Sequence, residues 1–241
     1  MKRQNEHSFN VRGYDRLASF YQPIERCVFG DRLQQARTAL LDQLPQWDRM
    51  LVLGDGDGRL LHAIVHSVTQ SQPSSASRTI VSLDQSSKML DRQRERLAGH
   101  GTNVSIEFIQ TDALEYQPPA DSFDVIVTPF FLDCFNEAEL RKAMRVWVAG
   151  LTVGGVWYHV DFVLPDRGWR RFRAKLLLHA MHLFFRVTTG LRNRTLVDVQ
   201  AIFENLNMHP IAKLDGDRSM ITTTIYQGQC LQAQSTRVSL P

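Results

Sequence analysis

The sequence predicts an α/β protein: a doubly wound, mostly parallel seven-stranded sheet with one antiparallel strand and helices on both faces. Three observations predict it. Short apolar runs alternate with helical patterns from residue 49 to residue 163. A glycine cluster, "GDGDG" at 54–58, joins the first run to the first helix after it. The last two apolar runs, in "HPIAKLDGDRSMITTTIYQGQ", follow each other without a helix and read as a hairpin-like pair.

The elements follow in order. "ERCVFGDRLQQARTALLDQL" (25–44) has Ala and Leu at helical spacing and Pro45 as a stop, so it reads as a helix. "RMLVLG" (49–54) is a buried strand and "RLLHAIVHSV" (59–68) the helix rising from the glycines. "SQPSSAS" (71–77) is a polar loop. "TIVSLD" (79–84) is the second strand, and "SSKMLDRQRERLAGHG" a helix capped by serine and closed by glycine. "VSIEFIQTD" (104–112) and "FDVIVTPFFL" (123–132) are the third and fourth strands, "EAELRKAMRVWVAGL" (137–151) a helix, and "GGVWYHVDFV" (154–163) the fifth strand. "LVDVQAIFENLN" (196–207) is a helix before the final pair. The fold unit spans 1–227, with 1–45 a helical leader, 165–195 an insertion and 228–241 a flexible polar tail.

The chain of 241 residues is 43% hydrophobic and 22% charged, an ordinary globular composition. Its net charge of +3 does not argue for nucleic acid, and no nucleic-acid-binding module is visible. Residues 166–194 carry eight basic side chains and one acid, so the rest of the chain is negative. Cys27, Cys134 and Cys230 are scattered without a C-x-x-C pair, which suggests neither a disulfide framework nor a zinc site. The first residues contain no apolar stretch of the secretory kind, and no run is long enough to span a membrane. A cytoplasmic protein with reduced thiols is expected.

In a sheet of this kind ligands bind beyond the carboxyl ends of the strands, where strand order reverses. Acids and glycines gather there. A dinucleotide turn is G-x-G-x-x-G, but here the spacing is G-x-G-x-G, and Asp55 and Asp57 lie between the glycines. Two carboxylates repel pyrophosphate and attract an ammonium or sulfonium group. The plain alternative is a tight turn with Asp57 capping the next helix. Asp84 ends the second strand, placed to accept from a ribose diol. Asp112 ends the third strand beside the small Ala113, placed to accept from an adenine amino group. Either acid, taken alone, is also a common turn or cap residue. Together they describe a ligand with an adenosine and no phosphate.

The order "LVLGDGDGRLL", "VSLDQSSKML", "IQTDALEY", "FDVIVTPFFLDCF", "LTVGGVWYHVDF" resembles the class I S-adenosylmethionine-dependent methyltransferases. "DQSSKML" is similar to the D-x-S-x-x-M-L of the ubiquinone and menaquinone C-methyltransferase branch, and "YDRLASFYQ" (14–22) to its tyrosine-containing leader. The resemblance covers roughly residues 11–227 and implies a Rossmann-like fold with S-adenosylmethionine as cofactor. It implies that Gly54, Gly56 and Gly58 bed the methionine part and ribose. Asp84 would hold the diol, with Gln85 beside it and Ser86 or Met89 near the adenine. Asp112 and Ala113 would meet the adenine edge, residues 128–131, including Thr128 and Phe130, would line the methyl-transfer face, and Tyr14 and Tyr21 would close over the cofactor. One position departs: the family's acid two residues before the first glycine is Val52 here. Asp55, or a water, would take that contact.

Methyl transfer from a sulfonium needs alignment, exclusion of water and, for a hydroxyl or carbon acid, a base. Asp133 after the fourth strand and Asp161 in the fifth are candidates, with His159 on the same strand face as Asp161. A structural role at a strand end is the alternative for each. In 165–195, Trp169, Phe172, Leu176, Ala180, Leu183 and Val187 form an apolar stripe flanked by arginines. A lid over a large apolar or acidic substrate, contact with a membrane surface, and a plain packing helix all fit that pattern. His179 and His182 lack a third ligand, so no metal site is expected. The reading is a methyltransferase for a small hydrophobic or aromatic acceptor. Against it stand an NAD-type oxidoreductase, disfavoured by the acidic turn, and a non-catalytic cofactor-binding partner, supported only by Val52.

Overall fold

A computed structural model describes residues 30–70, 77–99, 104–164, 168, 169, 171, 172, 197–217 and 220–228. Its seven strands are β1 (Arg49–Leu53), β2 (Arg78–Asp84), β3 (Val104–Gln110), β4 (Phe123–Pro129), β5 (Leu151–Phe162), β6 (Met208–Gly216) and β7 (Ile221–Gly228). They form one sheet in the order β3-β2-β1-β4-β5-β7-β6. Only β7 runs antiparallel to its neighbours; the other pairings are parallel. The strand order reverses between β1 and β4, so the crevice for a ligand opens there.

The helices are α1 (Arg32–Thr38), α2 (Arg59–Gln70), α3 (Ser87–Leu97), α4 (Glu137–Val148) and α5 (Val199–Asn205), with 3-10 turns at Leu41–Gln43 and Leu132–Cys134. Alternate residues of the central strands feed two apolar cores. Met50, Val52, Val125, Val127, Tyr158 and Val160 pack against Leu33 and Ala36 of α1 and Leu60, Leu61 and Ile64 of α2. Leu51, Leu53, Ile126 and Trp157 pack on the other face against Leu140, Met144 and Trp147 of α4 and Phe203 of α5. Strands covered on both sides read as unbroken apolar runs, which is why the sequence shows them.

The first helix is shorter than the pattern over 25–44 suggests. It ends at Thr38, whose hydroxyl donates back to the carbonyls of Gln34 and Gln35. Beyond it, the buried Tyr158 hydroxyl donates to the Arg37 carbonyl at 2.8 Å and accepts from the Leu40 N–H at 3.3 Å. These two bonds stand where helical ones would. The fourth strand likewise stops at Pro129 rather than 132, because Phe130 turns the chain with φ at 51°.

Candidate functional site

The turn after β1 is built for close approach. Gly54, Gly56 and Gly58 all have positive φ, at 68°, 56° and 80°. The ring of Phe131 occupies the space where a Cβ on Gly54 would sit, and a Cβ on Gly58 would lie 2.8 Å from Gln93 Cγ. Gly56 alone faces open space. The outer glycines are thus required by protein packing, and the middle one has open space where a Cβ would stand.

The two aspartates of the turn have different tasks. Asp55 is 6% exposed, and its oxygens accept from the Leu60 and Leu61 N–H groups at 3.3 and 2.7 Å. It therefore caps α2, satisfying donors that a helix start leaves open. Asp57, the cap candidate from sequence, instead pairs with Arg59 at 3.0 Å and Arg96 at 2.9 Å. Sequence reasoning missed the clamp from α3. Arg96 also donates to the Asp57 carbonyl, and Gln93 donates to the Gly56 carbonyl at 2.9 Å while accepting from Ser82 at 2.6 Å. "DRQRERL" reads only as a charged helix face, so nothing marks these two as turn-holders.

Desolvation pushes the Asp55 carboxyl up to about 6; the Leu61 N–H and the Arg37 charge oppose this, and Asp57 adds to it. A raised folded value means that the native state keeps the proton over a range where the unfolded chain has released it. Stability from Asp55 thus falls as pH rises from about 4 to about 6, by about 1.4 kcal/mol per unit. The ligand-free protein is expected to melt progressively lower across that window, and Asp55→Asn to flatten the decline. Parallel melting curves for the two proteins from pH 4 to 7 would contradict this.

At the end of β2, the half-exposed Asp84 accepts from the Ser86 N–H at 2.9 Å. Burial of the carboxylate and the charge of Asp55 push it up to about 7 against backbone N–H groups of Ser86, Gly56 and Gln85. Ser86 is fully buried, and its hydroxyl caps α3 by accepting from the Met89 N–H. Met89 is buried, and Gln85 is half-buried with its carbonyl accepting from Gln110. Asp112 accepts from the Leu114 N–H at 2.9 Å. Its neighbour Ala113 is buried, with its carbonyl held by the Trp147 indole N–H at 3.2 Å.

The loop after β4 joins this half to a second cluster. Phe131 covers Gly54 and packs edge-on to Phe135. Phe130 lies against Phe162 and under the guanidinium of Arg37, a buried arginine that sequence reasoning also missed. Thr128 is buried beneath this face rather than exposed on it. Its hydroxyl accepts from the Trp157 indole at 2.9 Å and lies 3.2 Å from His159 Nδ1. Giving the hydroxyl hydrogen to Nδ1 assigns the proton of a neutral ring to Nε2. Burial holds the imidazole neutral, down to about 4.

The structure brings Asp133, His159 and Asp161 together. His159 Nε2 lies 4.0 Å from Asp161 Oδ2. Burial and the nearby Asp133 charge push Asp161 well above the carboxylate range, while the Phe162 and Asp133 backbone N–H groups favour its charged form. Asp133 itself is pushed up to about 6 by burial. Two carboxyls that feel each other's charge do not both ionise readily, so the pair favours a form with one of them protonated.

Tyr14, Tyr21, the stretch 1–29, His179, His182, most of 165–195 and the tail after Gly228 lie outside the described residues. Within the insertion, Trp169 and Phe172 stack at 5.4 Å and are exposed. Among the described residues no helix is long and apolar enough to cross a membrane, and no cluster of three His, Cys, Asp or Glu could hold a metal ion.

Residues 50–155, from β1 into β5, match the family model described as a methyltransferase domain. This stretch is similar to a methyltransferase domain. S-adenosylmethionine is the cofactor such a domain implies. The residues after β1 and β2 suit that molecule: open space beside Gly56, desolvated acids at 55 and 84, and the arginines nearest Asp57 engaged by its carboxylate. Solved structures share the fold. An S-adenosylmethionine-dependent methyltransferase from Mesorhizobium loti is 19% identical, covering 81% of this chain and 99% of its own, with a TM-score of 0.56. One from Aquifex aeolicus is 13% identical, covering 86% and 97%, with a TM-score of 0.58. The mitomycin 7-O-methyltransferase MmcR is 16% identical with a TM-score of 0.62; the alignment covers 90% of this chain but 60% of that one. At these identities the likeness is one of fold. No curated protein matches the chain.

Proposed function

We propose that the protein transfers the methyl group of S-adenosylmethionine to a small hydrophobic or aromatic metabolite, on a scaffold that resembles the ubiquinone and menaquinone C-methyltransferase branch. One observation carries the reading: a positive-φ glycine turn, open beside Gly56 and flanked by two desolvated carboxylates, Asp55 and Asp84, at the point where the sheet reverses order. A pyrophosphate is repelled there, while hydroxyls and a cation are drawn in.

In this reading Asp84 holds the ribose diol, with Gln85, Ser86 and Met89 shaping the floor near the adenine. Asp112 and Ala113 meet the adenine edge. Gly54, Gly56 and Gly58 bed the methionine chain, and Asp55 acts on its ammonium by charge, since its oxygens are committed to α2. Phe130 and the Thr128 network support the transfer face; Tyr14 and Tyr21 close the site. The cofactor supplies an activated methyl group, and the chain's own task is to align the acceptor and manage a proton. Asp133, Asp161 and His159 are the groups for that proton. A cytoplasmic, single-domain enzyme with a small-molecule acceptor and no nucleic-acid partner completes the proposal.

Isothermal titration of the whole chain tests it. S-adenosylhomocysteine and S-adenosylmethionine are expected to bind and NAD to produce no heat. Binding of NAD without the homocysteine product would sink the reading.

A further inference from the structure

Asp161 on β5 stands directly opposite Thr222 on the antiparallel β7, so both side chains leave the same face of the sheet. Opposed residues of this kind have Cβ atoms about 4.5–5.5 Å apart. Both residues are buried, at 4% and 7% exposure. Each carries a buried oxygen with no hydrogen-bond partner in the structure: Asp161 Oδ2 and Thr222 Oγ1. The other Asp161 oxygen is held by the Phe162 N–H at 2.8 Å, so the free one is fixed in direction. Buried polar atoms almost always find a partner, and two side by side mark a place where one is missing.

The neighbouring histidine does not fill it. His159 Nε2 is 4.0 Å from Oδ2, beyond hydrogen-bond reach. Thr224, the next residue on this face of β7, lies opposite His159. The pair sits next to the loop that reaches the glycine turn, since Asp133 acts on Asp161 while Phe131 covers Gly54. The orphan oxygens therefore lie beside the same loop that covers the glycine turn.

From this geometry we infer that Asp161 and Thr222 form the seat for a hydroxyl group, and that the acceptor is an alcohol or phenol methylated on oxygen. The inference rests on the methyltransferase reading above. A hydroxyl donates to Asp161 Oδ2 and accepts from Thr222 Oγ1–H, satisfying both orphans with one group. It keeps a second lone pair for attack. An ammonium donates to both but has no lone pair until it is deprotonated, and a carbon acid satisfies neither. In the reaction the oxygen–methyl bond forms as the sulfur–methyl bond breaks. The breaking bond's electron pair stays on sulfur, and the hydroxyl proton passes to Oδ2 of Asp161, which enters the step as the carboxylate. Asp161 is the base, and Thr222 orients the reacting oxygen.

The test uses the whole chain saturated with S-adenosylhomocysteine. Catechol, 4-hydroxybenzoate, 2-naphthol and 1-octanol are each titrated against their own methyl ethers by ligand-observed NMR. At least one hydroxyl compound is expected to bind tenfold tighter than its ether. Thr222→Val and Asp161→Asn should each shrink that preference below threefold, and Thr222→Ser should restore it. S-adenosylhomocysteine affinity should stay within twofold throughout, which also certifies that the variants fold. Ethers binding as well as the hydroxyl compounds, no pair binding at all, or a Thr222→Val protein that keeps the preference would each overturn the inference. Failure of S-adenosylhomocysteine to bind the unaltered chain would instead strike the methyltransferase reading itself.

Discussion

Gly54→Ala is expected to lower the melting temperature by on the order of 10 °C and to cost the protein its cofactor affinity. The added Cβ falls inside the Phe131 ring, and the residue has φ at 68°. Inserting a methyl into packed space costs about 1–3 kcal/mol. A left-handed backbone costs a non-glycine residue about 1–2 kcal/mol more. For a chain of this size each kcal/mol moves the midpoint by roughly 2–4 °C. The ring cannot step aside cheaply, because it is wedged against Phe135 at 5.1 Å and Trp147 at 6.3 Å. Gly56→Ala is the control. It has a similar φ but open space, so only the backbone cost, about 1–2 kcal/mol, applies. Thermal melts of the two variants should separate clearly, and equal melts would mean that Phe131 does not rest on Gly54.

Asp84→Ala is expected to weaken S-adenosylhomocysteine binding by about 10–150-fold, the loss of roughly 1.5–3 kcal/mol from hydrogen bonds to a charged group. A pH signature accompanies the loss. In the free protein Asp84 is pushed up to about 7 by burial and by Asp55. Hydroxyl donors favour the ionised carboxylate, so the bound form holds the proton less tightly than the free form. Affinity for the wild-type chain should therefore rise from pH 6 to pH 8, with proton release on binding. The Asp84→Ala protein should lose the contribution of this carboxyl to that slope. Titrations in two buffers of different ionisation enthalpy measure both effects. Unchanged affinity in the variant would remove Asp84 from the site.

The strands of this fold are legible in the sequence because a strand covered on both faces is an uninterrupted apolar run, as in 50–53 and 125–127. Their ends are less so. Nothing in "TPFFL" announces that Phe130 will adopt a positive φ, since no glycine or asparagine marks it, and the run reads as three more residues of strand. The first helix is cut short by a tyrosine hydroxyl more than a hundred residues away, which no local pattern contains. The glycine turn and its acids were visible, but their division of labour was not. Asp55 and Asp57 differ by two positions in sequence, yet one caps a helix and the other holds two arginines. Asp133, His159 and Asp161 were legible as strand-end polar residues. That Asp161 faces Thr222 depends on the register of β5 with β7, a tertiary fact.

The short loop 130–134 leans its Phe131 ring on Gly54 at one end and presents its Asp133 N–H to Asp161 at the other. A packed interior passes displacement on rather than absorbing it. The loop thus works as a rocker with both arms occupied. Under the proposed roles, substitutions within it are expected to disturb Asp161 and the glycine turn together. Thr222 on β7 faces Asp161 from the opposite strand, so a change there reaches this acid from outside the loop.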